Sequence, residues 1–486
     1  MIVVIKDMNI LEYVETTAKN NPQKTAFAYG ECKYTFSEAT KIARSLAVLV
    51  PSNIKNQPIL VFAERSADTL IYFLAVLYSG NFYVPIDPGL PDEKLDNIMS
   101  DCNAGIAFGN EGIMNTRIVN SCVIYSIKDQ KEEMCLLPDL SENSPLYMVY
   151  TSGSTGKPKG VLKTHGAVIS FIEAYVDTFR FDGNEVIGNQ TPFFFDASAK
   201  DIYLTLRTGA TLEIIPTEKF ALMTELIEYL DEKRISFISW VPTVLSMVAQ
   251  MRVLDYVKPT YLKRVFFVGE VMPVKYLNVW IDALPGVQFV NLYGQSELAG
   301  ICCYYIVNAK REDSDVLPIG KTLSNCKIYL DNNEIIISSP ALAAGYYNDP
   351  EATNLAFYIH DYGDGPVRCF RTGDLAFINE SGDYVFKTRS DFQIKHLGHR
   401  IELGEIETVA SALDEIKNCA CIYDAGKQSI ILFAETCDES ITSKTIKRLL
   451  KQKLLTYMVP ERIKIIDKIP LNANGKIHRT KLKEMI

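Results

Sequence analysis

Residues Tyr147 to Gly160 read YMVYTSGSTGKPKG, and this stretch guides the interpretation of the whole chain. An apolar strand at Leu146–Tyr150 is predicted to run directly into a loop of small, hydroxyl-bearing and basic residues. Glycines permit close backbone approach, and hydroxyl and ammonium groups donate to anionic oxygens. The loop residues concerned are Thr151, Ser152, Gly153, Ser154, Thr155, Gly156, Lys157 and Lys159. We therefore predict a polyphosphate-binding loop, although the spacing is not that of a Walker loop.

Composition excludes several other classes of protein. The chain has 486 residues, 48% of them apolar and 22% charged, so at least two folded domains are expected. A net charge of −9 without a basic block argues against nucleic-acid binding. We find no signal peptide or apolar stretch suited to a membrane span, and the eleven cysteines lack metal-ligand spacing. We expect a cytoplasmic monomer with reduced thiols and no membrane insertion.

The predicted fold class is α/β, because apolar segments rich in Val, Ile and Tyr alternate with helix-like segments. Strands are predicted at Ile59–Phe62 and Ala104–Phe108, and helices at Asp68–Leu77 and Met223–Lys233. These elements belong to a large multi-sheet N-terminal domain, which we expect to span residues 1–390.

The chain changes character near Asp391, where a small α+β C-terminal domain is predicted to begin and to span residues 391–486. Short strands are predicted at Ser429–Phe433 and Arg462–Ile466, and a basic amphipathic helix at Ser443–Lys453. A domain of this size is suited to a hinged attachment to a larger one.

A series of motifs resembles the signatures of the adenylate-forming superfamily, which includes acyl-CoA synthetases, luciferases and the adenylation domains of nonribosomal peptide synthetases. Besides the loop quoted above, the motifs are YTFSE at 34–38, LAVLYSGNFYVPIDP at 74–88, YGQSE at 293–297, GYY at 345–347, RTGDL at 371–375, the stretch 389–407 and NGK at 474–476. The amino-acid adenylation branch is the most similar. Within it, residues 195–212 and 266–273 resemble segments of D-alanine–carrier-protein ligases.

The resemblance implies that ATP binds with Mg²⁺. Glu297 would hold the ion, since carboxylate oxygens are suitable ligands for Mg²⁺. Tyr293 would lie against the adenine ring, and Asp374 would accept hydrogen bonds from the ribose hydroxyls. Arg389 would assist on the nucleotide side. Further implied nucleotide contacts are Asn291, Gly294 and Ser296.

One position departs from the pattern of that loop, which usually reads YGPTE. Gln295 stands where proline is usual, so we expect a softer loop, whereas Ser296 retains the hydroxyl group.

Catalysis would depend mainly on Lys476 in the NGK motif, together with Glu297 and Thr151. The resemblance implies that this lysine reaches the substrate carboxylate and the α-phosphate, where a mobile cation stabilises the charge of the transition state. Asp391 would be the hinge that lets the C-terminal domain move between two half-reactions.

Asp196, in the sequence FDAS, distinguishes the amino-acid branch, in which this aspartate binds the α-ammonium of the substrate. A buried carboxylate needs a cationic or hydrogen-bonding partner. The resemblance implies a pocket wall formed by Ala197, Lys200, Ser239, Phe266, Val268, Leu292, Gly300 and Ile301. The bulk of several of these side chains predicts a short pocket.

Lys200 is unexpected at its position, where D-alanine ligases carry an apolar residue. If its ammonium points into the pocket, a short acidic amino acid is expected as substrate. If the side chain extends outward to solvent, a small neutral amino acid is expected.

The thiol acceptor is expected to be a separate carrier protein bearing phosphopantetheine, or free coenzyme A, because no carrier segment follows before Ile486. The helix predicted at 443–453 has five basic residues and no acidic one, which would suit an acidic carrier. Alternative functions are a D-alanine–carrier-protein ligase proper, an acyl- or aryl-CoA ligase, and an inactive nucleotide-binding module.

We predict that Lys476→Ala greatly lowers adenylate formation and leaves ATP binding largely intact. The loss of one charge-stabilising contact in such a site typically costs roughly 2.7–4 kcal/mol. ATP–pyrophosphate exchange and equilibrium binding of ATP measure the two effects separately. Exchange within about threefold of the wild-type rate would show that this lysine has no catalytic role.

Overall fold

A computed structural model of the chain describes residues 8–110, 122–151, 158–363, 365–389, 393–438, 440–470 and 477–486. The chain is divided into two compact units. The first comprises Met1–Pro88, Asp101–Val149 and Gly160–Thr388, and the second comprises Gly89–Ser100, Tyr150–Lys159 and Arg389–Ile486. The domain boundary at 390/391 stays a prediction.

The helices are mostly short and amphipathic. The described residues form α1 Ile10–Asn20, α2 Phe36–Ala47, α3 Ala67–Tyr78, α4 Asp92–Cys102, α5 His165–Phe179, α6 Ala199–Thr208, α7 Met223–Glu232, α8 Pro242–Gln250, α9 Val274–Ala283, α10 Pro350–Ala356, α11 Leu403–Ser411, α12 Ser443–Leu450 and α13 Arg479–Glu484. The predicted helices at 68–77 and 223–233 are confirmed as α3 and α7. The predicted helix at 443–453 ends at Leu450.

The strands of the first half of the chain are β1 Thr25–Tyr29, β2 Cys32–Thr35, β3 Pro58–Phe62, β4 Phe82–Ile86, β5 Ile106–Phe108, β6 Val123–Tyr125, β7 Pro145–Thr151, β8 Lys159–Thr164, β9 Val186–Asn189, β10 Thr211–Ile214 and β11 Phe237–Trp240.

The strands of the second half are β12 Arg264–Val268, β13 Gln288–Tyr293, β14 Cys303–Val307, β15 Lys321–Thr322, β16 Lys327–Asp331, β17 Glu334–Ser338, β18 Gly345–Tyr346, β19 Phe357–Asp361, β20 Pro366–Ile378, β21 Tyr384–Arg389, β22 Gln393–His396, β23 His399–Glu402, β24 Ile416–Asp424, β25 Ser429–Thr436 and β26 Arg462–Ile465. The strands predicted from the sequence are confirmed, with β5 starting two residues later than expected.

Two large sheets build most of the first unit. The nine-stranded sheet has the order β15-β14-β13-β12-β11-β9-β10-β1-β2, and the seven-stranded sheet has the order β18-β8-β7-β4-β3-β5-β6. The strands from β13 to β1 in the first sheet pair in parallel. Parallel strands place their carboxyl ends along one edge, which is where α/β proteins commonly bind ligands.

The core of the first unit buries almost all of α3. Its run from Ala67 to Tyr78 is apolar apart from Asp68 and Thr69, and every residue except Asp68 is buried. Ser66 caps the helix by accepting a hydrogen bond from the backbone N–H of Thr69. A helix that is apolar on all sides needs cover on all sides, so α3 is a central element of this unit.

The second unit contains a three-stranded sheet, β24-β25-β26, and the hairpin formed by β22 and β23. Helices α11 and α12 contribute Ile406 and Ile446 to an apolar cluster with Leu432 of β25. The structure thus confirms an α/β chain with a large multi-sheet part and a smaller α+β part. Across the described residues, no helix combines the length and the apolar character needed to cross a membrane.

Gly320 pairs with Tyr384 of β21 through two backbone hydrogen bonds. Its φ is +82°, and a Cβ there would lie 2.0 Å from the carbonyl oxygen of Tyr304. Gly286 has a similar φ of +90° but open space around the position of a Cβ. Substituting each of the two glycines therefore distinguishes the cost of backbone strain from the cost of a steric clash.

We expect Gly320→Ala to lower the free energy of unfolding by about 2–4 kcal/mol, and Gly286→Ala by only about 1 kcal/mol. The first change adds a clash to the strain of a positive φ, whereas the second adds strain alone. Thermal and denaturant unfolding measure both. Equal losses for the two variants would contradict the tight contact at Gly320.

Candidate active site

Four of the predicted pocket residues share one face of the nine-stranded sheet. Ser239 of β11 lies opposite Phe266 of β12 in the strand register, and Val268 lies opposite Leu292 of β13. Side chains two residues apart on a strand point to the same face, so all four belong to one surface. The parallel pairing of β11, β12 and β13 thus brings these distant residues together.

Helix α5 covers this face with aromatic side chains. The ring of Phe266 is fully buried and packs against Phe179 and Phe237, with centroid separations of 4.7 and 5.0 Å. At Gly300, a Cβ would lie 2.4 Å from the ring of Phe171. Ile301 next to it is buried. Bulky groups therefore fill this region, and the short pocket stays a prediction.

Asp196 begins a short 3₁₀ turn, Asp196–Ser198, before α6. Its carboxylate, 10% exposed, accepts a hydrogen bond of 2.9 Å from the hydroxyl of Tyr147. The ammonium of Lys163 lies 3.7 Å from the same oxygen. Burial raises the pKa of Asp196, and the neighbouring Lys163 and Tyr147 act against that rise. Ala197 beside it is exposed.

Lys163 was missed in the sequence, where a lysine near the end of a strand is typical of a solvated side chain. It is fully buried on β8, and its ammonium donates hydrogen bonds to the backbone carbonyls of Ser296 and Leu298, the second at 2.6 Å. Burial lowers its pKa, whereas the negative charges of Asp196 and Glu297 raise it. The signal that could have found it is the alternation of β8, because Val161 and Lys163 lie on the same side.

Lys200 does not extend outward to solvent, so that alternative is wrong. Its side chain is 3% exposed, and its ammonium lies 3.2 Å from the carboxylate of Asp201. The ammonium also donates to the backbone carbonyls of Ala197 at 2.9 Å and Ser239 at 3.3 Å. The two carbonyls accept two of its three N–H donors, and the carboxylate of Asp201 offsets its charge.

Asp374 lies at the centre of a second polar group in the same unit. One of its carboxylate oxygens accepts hydrogen bonds of 2.5 Å from both the hydroxyl of Tyr293 and the side-chain amide of Gln295. Burial, with the charge of Asp374, raises the pKa of Tyr293 well above its usual range, so the phenol stays a donor. Thr372 orients the turn by accepting from the backbone N–H of Asp374.

Gln295 is held by side-chain hydrogen bonds, and the softer loop expected without proline stays a prediction. Its side chain is buried and also donates to the backbone carbonyl of Thr372 at 3.2 Å. Two hydrogen bonds to β20 thus hold the loop where proline would restrict it through its ring. At Gly294 a Cβ would lie 2.3 Å from the carbonyl oxygen of Gly300, so a glycine is needed there.

In the sequence, Glu297 lies between Asp196 and Asp374, and the residue is 1% exposed. It accepts a hydrogen bond of 2.9 Å from the hydroxyl of Tyr346 on β18. Asn291 points to the opposite face from Leu292 and donates to the backbone carbonyl of Pro318 at 2.8 Å. The side-chain amide of Asn291 is therefore engaged in a hydrogen bond within the protein.

The remaining predicted residues are divided between the second unit and segments that lie outside the described residues. Thr151 ends β7, Lys159 begins β8 and Arg389 ends β21. Ser152 to Lys157, Asp391 and Lys476 lie outside the described residues, so their roles stay predictions. Within the described ranges, no three His, Cys, Asp or Glu residues are grouped in a way that could hold a metal ion.

Glu297 follows β13 at the carboxyl ends of the parallel strands, the edge at which α/β proteins commonly bind nucleotides and other ligands. The sequence model of the AMP-binding enzyme family matches residues 14–347, and that of the AMP-binding enzyme C-terminal domain matches residues 405–476. The chain therefore belongs to the AMP-binding enzyme family.

Curated and solved relatives agree with that assignment. A D-alanine–D-alanyl carrier protein ligase of Bacillus cereus is 28% identical, with 98% of this chain and 99% of the relative covered. The Vibrio cholerae adenylation domain AlmE, solved in complex with glycyl-adenosine-5'-phosphate, is 20% identical with a TM-score of 0.83 over 100% of this chain and 99% of that one. An o-succinylbenzoate CoA synthetase of Bacillus subtilis is 17% identical with a TM-score of 0.85, covering 98% and 99%.

We predict that Gln295→Leu raises the KM for ATP about fivefold to thirtyfold and changes kcat less. Losing a hydrogen bond to a charged group costs about 1–2 kcal/mol, and here it loosens Asp374 rather than the reacting atoms. Steady-state kinetics with varied ATP measure the effect. Gln452→Leu, on an exposed surface, is the matched control. An unchanged KM for ATP would show that Gln295 does not position Asp374 for the nucleotide.

Proposed function

We propose that this chain activates a small α-amino acid with ATP and then transfers it to the phosphopantetheine thiol of a separate carrier protein. A carboxylate oxygen of the amino acid would attack the α-phosphorus of ATP, and pyrophosphate would leave. The thiol sulfur would then attack the carbonyl carbon of the aminoacyl-AMP, and AMP would leave. The observation that carries this proposal is the largely buried carboxylate of Asp196 in the sequence FDAS.

The nucleotide side of the proposal depends on Asp374 and Tyr293. A carboxylate held rigidly by two donors would accept hydrogen bonds from a ribose without having to be ordered first. Tyr293 would place its ring near the adenine while its hydroxyl keeps the carboxylate in position. Both residues are in the first unit and in contact with each other.

Glu297 suits the Mg²⁺ that would accompany ATP. Its buried carboxylate is oriented by the hydroxyl of Tyr346, as expected of a group that holds a small cation with hard oxygen ligands. When bound, Mg²⁺ would neutralise charge on the phosphates. One protein carboxylate is sufficient for such an ion, which usually keeps water and phosphate oxygens as its other ligands.

The preferred substrate is a small neutral amino acid rather than an acidic one. The charge of Lys200 is already paired with Asp201, and its ammonium donates to two backbone carbonyls, so a substrate carboxylate would have to compete with these contacts. The bulk of Phe266 and its aromatic neighbours limits the length of the side chain. Alanine, serine and glycine fit both conditions.

Lys476, the hinge at Asp391 and the loop from Ser152 to Lys157 complete the proposal. We assign to them the roles that the resemblance implies: neutralisation of the reacting carboxylate and α-phosphate, movement between half-reactions, and binding of the phosphates. Thr151 and Lys159 flank that loop.

The carrier protein is proposed because the curated relative is named as a ligase of a D-alanyl carrier protein. Helix α12 offers a suitable surface in the second unit. Lys444 and Arg448 are exposed on it, and Lys451 follows directly after it. An acidic carrier would be attracted to such a face. We further propose that the enzyme acts in the cytoplasm as a monomer.

An acyl-CoA ligase is the second candidate, because a CoA synthetase is among the solved relatives with a similar fold. Fold alone does not distinguish the two. Asp196 favours the amino acid, since a fatty or aryl acid brings no ammonium to this carboxylate.

We expect Asp196→Asn to lower kcat/KM for every amino acid at least a hundredfold, about 3 kcal/mol, because the substrate ammonium loses its counter-charge. ATP–pyrophosphate exchange across the twenty amino acids, both enantiomers of alanine, and simple fatty and aryl acids measures this. The exposed Asp315→Asn is the matched control. A wild-type enzyme that prefers a fatty or aryl acid to every amino acid would overturn the proposed function.

A further inference from the structure

Lys163 carries a charge at a buried position of β8, and the half-reactions of the proposed function give that charge no role. Strand β8 alternates so that Val161 and Lys163 point inward, and both have no exposed surface. An apolar side chain would satisfy the pattern of a buried strand. A lysine that is retained in such a place needs oxygen partners for its ammonium.

Three oxygens converge on that ammonium. Two are the backbone carbonyls of Ser296 and Leu298, on either side of Glu297, and both accept hydrogen bonds. The third is the carboxylate oxygen of Asp196 at 3.7 Å. The ion pair thus connects β8 with the turn at Asp196 and the loop around Glu297.

This cluster of oxygens is the kind of site that an ammonium group of a substrate would need. According to the proposed function, on which this inference rests, Asp196 binds the α-ammonium of the amino acid. A protein ammonium already lies beside that carboxylate and offsets its charge. A substrate ammonium would therefore meet a weakened counter-charge and a like charge nearby.

We propose that Lys163 is a specificity-determining residue that lowers the preference of the site for a cationic α-substituent. The substrate class then includes α-hydroxy acids as well as α-amino acids with the same short side chain. A neutral hydroxyl can donate to Asp196 without being repelled by Lys163.

The chemistry of the first half-reaction is unchanged for such a substrate. A carboxylate oxygen of the hydroxy acid bonds to the α-phosphorus of ATP as the bond from that phosphorus to the bridging oxygen of pyrophosphate breaks. No oxidant or further reactant is needed, and the α-hydroxyl takes no part.

The test compares alanine with lactate, each as both enantiomers, by ATP–pyrophosphate exchange in the full-length enzyme. If another amino acid leads the panel, it is compared with the hydroxy acid that has the same side chain. We expect wild-type kcat/KM values for the pair to differ by less than about thirtyfold. Lys163→Met should raise the ratio of amino acid to hydroxy acid at least tenfold, since Asp196 then depends on the substrate for its counter-charge. The exposed Lys263→Met is the matched control.

A wild-type preference for the amino acid above a thousandfold would overturn the inference and leave the proposed function standing, even if Lys163→Met fails to fold. A folded Lys163→Met variant that lowers both activities equally would also overturn it, because a purely structural lysine has that effect. Activation of neither the amino acid nor the hydroxy acid, with activity on fatty or aryl acids, would instead remove the proposed function and this inference together.

Discussion

The buried ion pair between Lys163 and Asp196 is the interaction on which the rest of the proposed substrate site depends. A fully buried ammonium has to be neutralised and supplied with hydrogen-bond acceptors, and the loss of either partner leaves an uncompensated charge. Because of this requirement, the turn before α6 and the loop after β13 both place oxygen atoms next to the ammonium of Lys163, which β8 carries. Glu297 lies inside that loop, so its position is determined by the same contacts.

The same principle operates on the nucleotide side with hydrogen bonds in place of an ion pair. Asp374 is held by Tyr293 and Gln295, which lie on either side of Gly294. Gly294 in turn lets the loop approach the backbone at Gly300. The residues proposed for adenine and Mg²⁺ therefore lie on one continuous segment, residues 293–297, and buried hydrogen bonds join that segment to Asp374, the residue proposed for the ribose. A preorganised site of this kind requires little ordering when a ligand binds.

Motif order predicted the family and the fold, because each motif follows a strand or turn that can be recognised from its apolar pattern and glycines. The shared face of Ser239, Phe266, Val268 and Leu292 also follows from parallel pairing and strand alternation. Contacts that depend on long-range packing were not predictable. Lys200 is paired with Asp201, its neighbour in the chain, but its burial depends on strand β11, and this excludes the outward orientation.

Lys163 and Gln295 also show that long-range contacts are not predictable from local sequence. A lysine on a strand and a glutamine in a loop both suggest solvent exposure, and both are buried with specific acceptors. Their partners lie more than 30 residues away in the chain, so no local pattern indicates which groups they contact. Polar side chains at inward positions of a strand are the one local signal that could have identified Lys163.

A crystal structure of the enzyme with a non-hydrolysable alanyl-sulfamoyl adenosine tests the central claim most directly. We predict that the α-nitrogen of the ligand lies within hydrogen-bond distance of the Asp196 carboxylate, with Lys163 still bound to the carbonyls of Ser296 and Leu298 and the ribose hydroxyls on Asp374. A ligand bound with its α-nitrogen away from Asp196, or with Lys163 displaced from both carbonyls, would contradict the claim that this buried pair organises the substrate site.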